Sequence, residues 1–577
     1  MHWVLRNTAQ PPAEHVQEWA EQLEISKVLA ALLWSRGLQT PKAMQHFMNP
    51  SLRFLSGLEG WPGLQEAADF LAGALLEGQK VAVWGDYDVD GITGTALVLE
   101  FLQEHGFSAA HHIPNRLEEG YGLNTEGVEM LHSQGVQVLV TVDSGISDIE
   151  PIALARRLGM DVIVTDHHLP GDALPPATHI LNPRLHENHP CPTLAGVGVA
   201  FFLMAAVNAA LYARGRQKVD VRPLLDLVAL GTLADVVDLH GQNRILVKNG
   251  LLFIGSGKRV GIAALKSACN LAPSAWLGAG QVVFSLAPRL NAAGRLGSGE
   301  AALELLLTQD RVRAGELAQE LSRLNAERRE EEDRILLAAK AQAEQQVAQG
   351  RSAIVVYHPT WHPGIIGIVA SRLVEALHRP SVVLCEMGSC IKGSARSVPG
   401  FDVHEAFGLC AKFLLGFGGH KMAAGLSMLP EQLKSFQDQF NAIVASTHGA
   451  GKPPLCKLDG ELSFMQACDF DFLKELEMLQ PFGMGNAEPV FYSQRVLLRA
   501  IKPRRNFIQL ELEDEGCGIV LQAKAWRLAQ EIPASMKGKR VHVAYTPRID
   551  RYNGAATVEL RLKDWKEAGV PLVIEAE

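Results

Sequence analysis

The stretch "IVTDHHLP", Ile163 to Pro170, sets an aspartate and two adjacent histidines directly behind a run of β-branched apolar residues. If Asp161 to Thr165 is a strand, side chains alternate in direction along it, so Asp166 and His168 would face one way and His167 the other. A continuing strand therefore cannot aim all three at one ion. Either the strand ends at Thr165 and a loop redirects them, or only some of the three serve chemistry.

The residues upstream place this stretch in a larger pattern. From about Lys80 short apolar runs alternate with helical ones: "VAVW" (81–84), "ITGTALVLEFLQEH" (92–105), "VQVLVTV" (136–142), "IEPIALARRLG" (149–159) and "DVIVT" (161–165). Strands that alternate with helices make βαβ units and a mainly parallel sheet, so the fold class is α/β. Ligands in such sheets bind beyond the carboxyl ends of the strands. The first run is followed by "GDYDVDG", carrying Asp86, Asp88 and Asp90, the second by "DSGIS" from Asp143, and the third by Asp166, His167 and His168. All three loops fall on one sheet edge. A fourth piece, "LLDLVALGTLADVVDL" (224–239), reads as an apolar helix running into Asp235 and Asp238. Acids in apolar surroundings are costly unless paired or metal-bound, which groups Asp235 with the others; a helix-capping acid is the plain alternative.

If Asp86, Asp88, Asp90, Asp143, Asp166, His167, His168 and Asp235 converge, they cannot all stay ionised without a cation, because like charges raise one another's pKa. Carboxylates with one or two imidazoles suit Mg²⁺ or Mn²⁺. The ligand set is large enough for two ions with a bridging carboxylate, and two ions about 3.5–4 Å apart form the clamp used in phosphodiester hydrolysis. The catalytic candidates are Asp88, Asp90, Asp143, His167, His168 and Asp235. A calcium loop is excluded: an EF-hand needs an acid at its twelfth position, and counting from Asp86 that position is Leu97.

A chain of 577 residues implies two to four domains. Its 47% hydrophobic and 20% charged content is that of a folded globular protein. No basic and apolar leader opens the chain, and no apolar stretch approaches the roughly 20 residues of a bilayer span, so a cytoplasmic protein without membrane contact is expected. Eight cysteines without a CxxC pair signal neither a zinc ribbon nor a disulfide framework. The net charge of −9 is unfavourable for nucleic acid, yet residues 495–551 hold 12 Lys and Arg against 6 Asp and Glu. Residues 301–349 have high helix propensity and read as one long helix, or two joined near Gly315, connecting domains; they lack a sustained heptad. From Ser352 "AIVVY" and "SVVLCEM" flank the helical "GIIGIVASRLVEAL", making a second α/β domain that ends in the glycine-rich "GFGGHKMAAGLSM" (416–428). After a "KPP" linker (452–454), five short alternating segments predict a small all-β barrel of OB type.

"GDYDVDG", "VDSGIS", "TDHH" and "GTLADVV" resemble, in order, the four metal-binding motifs of the DHH phosphoesterase family, and "GFGGHKMAAG" resembles the glycine-rich motif of its associated DHHA1-type domain. The resemblance implies an N-terminal extension (1–50), a DHH catalytic domain (51–300), a helical connector (301–350), a DHHA1-type domain (351–450) and an OB-like nucleic-acid-binding domain (451–577). It implies a metal-dependent 5′→3′ exonuclease for single-stranded DNA, acting in repair and recombination as a monomer, with a single-strand-binding protein and a helicase as partners. Arg116, Arg295, Ser394 and Arg396 are expected near a 5′-terminal phosphate, for which guanidinium forks are suited. Gly418, Gly419 and His420 are expected at the mouth of the site. Lys502, Arg504, Arg505 and Lys524 are candidates for a basic groove, with Phe507 and Trp526 as stacking platforms. One departure stands out: many family members carry a histidine four residues before the acid matched by Asp88, and here that position is Trp84, which cannot ligate a metal. Two rival readings stay open, a phosphodiesterase for short oligonucleotides or cyclic dinucleotides and a single-strand-binding protein with a degenerate catalytic domain.

Overall fold

The structure, a computed structural model, describes residues 1–7, 11–55, 60–116, 118–447, 454–504, 507–526, 532–551, 556–569 and 572–576. The chain divides into two compact units, Met1–Phe54 with Pro453–Glu577, and Leu55–Lys452. Strand β1 (His2–Leu5) belongs to the first.

The Leu55–Lys452 unit opens with a parallel sheet of β2 (Val81–Gly85), β3 (Ala109–His112), β4 (Val138–Val142), β5 (Asp161–Thr165) and β6 (His179–Leu181), in the order β3-β2-β4-β5-β6. Its central strands are apolar without alternation because helices cover both faces, and every residue of β2 and β4 is buried. The chain leaves β2 to form β3 on one side and crosses to β4 on the other, so the topological switch point lies between β2 and β4. Strand β5 stops at Thr165, so strand alternation does not govern "DHH". The loop redirects those side chains. The helix predicted over 224–239 is shorter: it runs Leu225–Ala234, Asp235 closes it, and Val236 takes a left-handed φ of 61° that turns the chain away.

One helix among the described residues, Gly196–Ala213, is long and apolar enough to cross a membrane, but 78% of it is buried inside the protein. It packs on Leu64–Leu76 and Val89–Glu104 as a core helix. The connector consists of two helices, Glu300–Leu307 and Arg311–Ala348. The break falls at Asp310, whose carboxylate accepts from the amides of Val312 and Arg313, and Gly315 lies inside the longer helix. That helix packs against Val260–Ala268, Ala287–Leu296 and Ile366–Leu377 of its own unit. A second sheet follows, of β7 (Ile354–Tyr357), β8 (Ser381–Met387), β9 (Cys390–Arg396), β10 (Gly416–His420) and β11 (Ala423–Met428), ordered β10-β11-β9-β8-β7. The glycine-rich stretch is thus an antiparallel hairpin, with Gly418 opposite Gly425 and His420 opposite Ala423.

In the other unit β12 (Leu455–Leu458), β13 (Gly460–Glu461), β14 (Phe491–Pro503), β15 (Ile508–Asp514), β16 (Ile519–Ala525), β17 (Arg540–Asp550), β18 (Thr557–Glu567) and β19 (Glu575–Ala576) follow in order. Strands β13 to β18 form one sheet, and the extra pairing of β14 with β17 closes it into a barrel. Strand β1 lies between β12 and β19. The Trp3 indole donates to Asp564 at 2.7 Å. Trp19, Leu29 and Leu33 share a core with Phe464, Phe491 and Tyr545, so the first 54 residues build this barrel unit rather than a free extension. Lys452 and Pro453 of the "KPP" linker, and Arg505, lie outside the described residues. None of the eight cysteines forms a disulfide.

Candidate metal centre and anion cavity

Three carboxyl-edge loops and the end of the helix Leu225–Ala234 deliver the acids and imidazoles. Asp86 follows β2 directly, its amide bonded to the Val142 carbonyl at 3.3 Å. Asp88 caps the helix Val89–Glu104, one oxygen accepting from the amides of Asp90 (2.8 Å) and Gly91 (3.2 Å). Asp90 is buried and accepts from the first amides of the helix Gly196–Ala213, Gly196 at 2.6 Å and Val197 at 3.0 Å, where the helix dipole favours negative charge. Gly196 is obligatory there: a Cβ would stand 2.7 Å from the Asp143 Cβ. Asp143, behind β4, takes φ 62°, in the left-handed region that few non-glycine residues enter and aspartate tolerates better than most.

These loops converge. Three groups have ligand atoms within 4.8 Å of one another: Asp86, Asp88 and Asp143; Asp90, His167 and Asp235; and Asp143, His167 and His168. The His167 Nε2 lies 3.1 Å from Asp143 Oδ1, 3.5 Å from Asp235 Oδ2 and 3.9 Å from Asp90 Oδ2. Asp143 belongs to groups on both flanks. Asp166 belongs to none: one oxygen takes the amides of His167 (2.7 Å) and His168 (3.0 Å) and the His168 Nδ1 (2.8 Å), and the other takes the Ile146 amide (3.0 Å). It stands behind His168.

The electrostatics of the cluster call for a cation. Burial, then the charge of Asp88, pushes Asp90 up to about 7; burial, then Asp90, pushes Asp235 up to about 9, and raises Asp143 strongly. Burial and Asp88 raise Asp86 likewise. Burial drives His167 down to about 3. For His168 burial acts downward, but the hydrogen bond and charge of Asp166 outweigh it and lift the imidazole to about 9. Asp86 Oδ1 is buried without a hydrogen-bond partner among the described residues, and Asp143 Oδ1 and His167 Nε2 are buried facing each other with an alignment that makes no hydrogen bond. Buried polar atoms in native proteins are almost always satisfied, so three orphans in one cluster fit a divalent cation. Trp84 is a core residue. Its ring packs in the core beside His112, centroids 4.3 Å apart, while Asp86, two residues on, brings a carboxylate to Asp88 and Asp143.

Beside this cluster lies a cavity of about 670 Å³ lined by Arg116, Arg295, Lys392, Ser394 and Arg396, with Gly364, Gly367 and Gly419 in its wall. Arg295 has no carboxylate partner among the described residues; its Nη1 donates to the Gly364 carbonyl at 3.1 Å. Burial, then Arg116, lowers the pKa of Arg295 to about 10 and also lowers that of Arg396. The helix Ile366–Leu377 begins at this wall without a side-chain cap, and a Cβ on Gly367 would come within 3.0 Å of Ser394 Oγ. Converging cations with a free helix N-terminus make an anion receptor. His420 and Gly418 are exposed on β10 outside the cavity lining, and His420 is close enough to feel the charges of His168 and Arg184.

Sequence reasoning missed the wall "HPGIIG" (362–367), where glycines just ahead of a helical pattern are the available signal. It also missed Tyr121, whose hydroxyl donates to the Asp143 carbonyl at 3.1 Å and lies 3.0 Å from His168 Nδ1. In the barrel unit the basic candidates are partly neutralised. Lys502 pairs with Glu511 at 2.5 Å, Lys524 with Asp550 at 3.3 Å and with Glu559, and Arg504 bonds Gln509 at 3.2 Å. Phe507 and the exposed Trp526 pack with centroids 4.7 Å apart and their planes tilted by 39°, with Lys524 over Phe507.

A doubly wound sheet whose switch point collects aspartates and a DHH loop, followed by a second α/β domain with a glycine hairpin, defines a DHH-type phosphoesterase. The description "DHH family, N-terminal domain" matches residues 80–232, "DHHA1 domain" residues 350–446 and "RecJ OB domain" residues 458–564. A Haemophilus influenzae protein named single-stranded-DNA-specific exonuclease RecJ is 37% identical over 86% of this chain and 89% of its own length. The crystal structure of RecJ from Thermus thermophilus in complex with Mn²⁺ matches with a TM-score of 0.84 at 32% identity, covering 100% of this chain and 80% of that one. Its Mg²⁺ complex matches with a TM-score of 0.78 at 30% identity, over 100% of this chain and 79% of that one. The chain belongs to the RecJ family.

Proposed function

We propose that the protein is a metal-dependent exonuclease that hydrolyses single-stranded DNA from the 5′ end and releases 5′ mononucleotides in DNA repair and recombination. One observation carries the reading: an acid cluster that demands cations and an arginine cavity that suits an anion stand side by side on one unit. Mn²⁺ or Mg²⁺ fits the orphaned oxygens, with Asp86, Asp88 and Asp143 holding one ion and Asp90, His167, Asp235 and the shared Asp143 a second. Such ions supply charge neutralisation and a water of lowered pKa. Asp166 holds His168 by Nδ1, which leaves Nε2 to donate to an oxygen of the scissile phosphate. Arg116, Arg295, Ser394 and Arg396 bind the terminal phosphate, and this anchorage fixes the cut one nucleotide from the end. Water adds to the phosphorus and the bond to the 3′ oxygen of the first nucleotide breaks. The retained strand then begins with a new 5′ phosphate, so each cut regenerates the group that the cavity recognises. The pair of half-buried Phe507 and exposed Trp526 supports a role for the barrel in holding single strands, since bases stack on aromatic faces. A monomer working in the cytoplasm with a single-strand-binding protein and a helicase completes the reading.

The test uses a single-stranded oligonucleotide labelled separately at each end, with Mn²⁺, Mg²⁺ or EDTA, beside its blunt duplex. Mononucleotide released from the 5′ label only, with metal and not from duplex, is the expected result. Attack from both ends, or degradation of very short oligomers alone, moves the function to a short-oligonucleotide phosphodiesterase. Binding without product moves it to a single-strand-binding protein.

A further inference from the structure

The carboxyl edge of the first sheet carries an arginine beyond β6 that the proposed site leaves without a role. Read across the strand order β3-β2-β4-β5-β6, the edge presents Arg116 four residues past β3, then Asp86, Asp88 and Asp90 past β2, Asp143 past β4, Asp166 to His168 past β5, and Arg184 three residues past β6. Neighbouring strands lie about 4.8 Å apart, so β3 and β6 each stand about 10 Å from β4. Asp143, shared between the two flanks of the metal centre, sits at the middle of this row. Arg116 belongs to the arginine cavity at one end, and Arg184 stands alone at the other.

Arg184 is placed firmly. Thr165 pairs with Leu181, and the Asp166 amide donates to the Leu181 carbonyl at 3.1 Å, so the two strands stay in register as they leave the sheet. The buried Asn182 then donates to the His168 carbonyl at 2.8 Å and accepts from the Arg184 amide at 2.8 Å, which ties the arginine's backbone to the DHH loop. Its side chain is exposed, and its guanidinium makes no ion pair or hydrogen bond among the described residues. Its charge still reaches the site, acting on both His167 and His420. Arg116, by contrast, acts on Asp86 and Tyr87 at the other flank.

We infer that Arg184 binds the phosphate on the 3′ side of the scissile one, holding the strand that the enzyme keeps. The inference rests on the exonuclease reading. If the terminal phosphate lies in the cavity and the scissile phosphate over Asp143, the next phosphate continues along the row toward β6. There an unpaired guanidinium meets it with charge-assisted bonds that carry no base information. The row then reads as three successive phosphate stations, an arginine cluster, a metal centre and a single arginine. The asymmetry suits repeated cutting from one end, because the end must be recognised tightly whereas the retained strand must advance after every cut.

The experiment is a cycle between protein and substrate. Release of the first nucleotide is timed under single-turnover conditions for wild type and Arg184→Ala, on a 5′-phosphorylated single strand and on the same strand with a neutral methylphosphonate between its second and third nucleotides. A hydrogen bond to a charged group is worth enough that either change alone should slow release at subsaturating enzyme about tenfold. The two together should cost little more than one. Arg184→Lys should recover most of the loss on the natural strand, and Arg184→Ala should leave the preference for a 5′ phosphate over a 5′ hydroxyl unchanged. Multiplying losses, or no loss in Arg184→Ala, overturns the assignment. A wild-type protein that releases nothing from the 5′ end overturns the exonuclease reading instead.

Discussion

The two charged cavities of the Leu55–Lys452 unit fail to balance their charge in opposite ways. At the carboxyl edge of the parallel sheet, aspartates are crowded until burial and mutual repulsion lift Asp90 to about 7 and Asp235 to about 9. In the neighbouring cavity, arginines are buried until Arg295 falls to about 10. Salt bridges between the two sets would relieve both at once, yet no ion pair among the described residues joins them. Proteins that bury charges for stability alone pair them, because an unpaired one is expensive. Keeping acids and arginines apart at close range preserves separate places for cations and for a polyanion, and a phosphodiester with its divalent ions suits both.

Removing an acid should have the largest effect. Asp143 is the carboxylate common to both flanks, so Asp143→Ala should lower single-turnover hydrolysis on the order of a thousandfold, several kcal/mol of lost stabilisation. Binding of a 5′-phosphorylated strand should survive, since the arginine cavity is intact. Loss of binding and hydrolysis together in a folded variant would merge the two regions into one. Removing an arginine should act on recognition. Arg396→Ala should raise KM for 5′-phosphorylated ends about 10- to 100-fold and bring it toward the value for 5′-hydroxyl ends, with a smaller change in kcat. An equal fall in kcat on both kinds of end would place Arg396 at the chemistry instead.

The acid cluster also predicts how the metal-free protein responds to pH. Asp90 and Asp235 have folded-state pKa values above the ordinary carboxylate range, so their contribution to stability is fully present below about pH 4 and is lost as pH rises through about 7 and then 9. In EDTA, wild type should therefore lose Tm between pH 5 and 9 relative to the Asp90→Asn, Asp235→Asn double variant, followed by calorimetry. Mn²⁺ should reverse the trend for wild type, with its largest Tm increment at high pH, because ligating carboxylates must be deprotonated. Parallel curves for the two proteins in EDTA would mean that the acids are not strained by one another.

What can be read from the chain follows the same division. Strands β2, β4 and β5 are buried on both faces and spell near-continuous apolar runs, so the parallel sheet and the acid loops behind it are visible in the sequence. Strands β3, "AAHH", and β6, "HIL", are short edge strands that spell nothing so plain. The loops they carry hold Arg116 and Arg184, so Arg116 is reachable through family resemblance alone and Arg184 not at all. The glycine hairpin β10–β11 is hidden for a related reason, since apart from Phe417 its residues lack the β-branched and aromatic types that mark strands. Asp166 shows the opposite case. Its residue type announces a ligand, but among the described residues it joins none of the three ligand groups and its oxygens orient the DHH loop, a matter of backbone geometry that no motif records.

The smallest effect belongs to the barrel unit, and it tests whether a basic composition is the same as a basic surface. Residues 495–551 have twice as many Lys and Arg as Asp and Glu, yet Lys502 spends its charge on Glu511 and Lys524 on Asp550 and Glu559. Exposed pairs of this kind are worth about 0–1 kcal/mol, and a lysine held by an acid offers less net charge to a phosphate. Lys502→Ala should therefore change affinity for a long single strand less than twofold. Trp526→Ala should cost more, about 1 kcal/mol or above, because a base loses its stacking face. The ordering should reverse for Glu511→Gln, which frees Lys502: affinity should rise modestly at low salt and the rise should vanish as salt screens it. If Lys502→Ala instead weakens binding as much as Trp526→Ala, the pair opens on contact with DNA, and the barrel's charge is available after all.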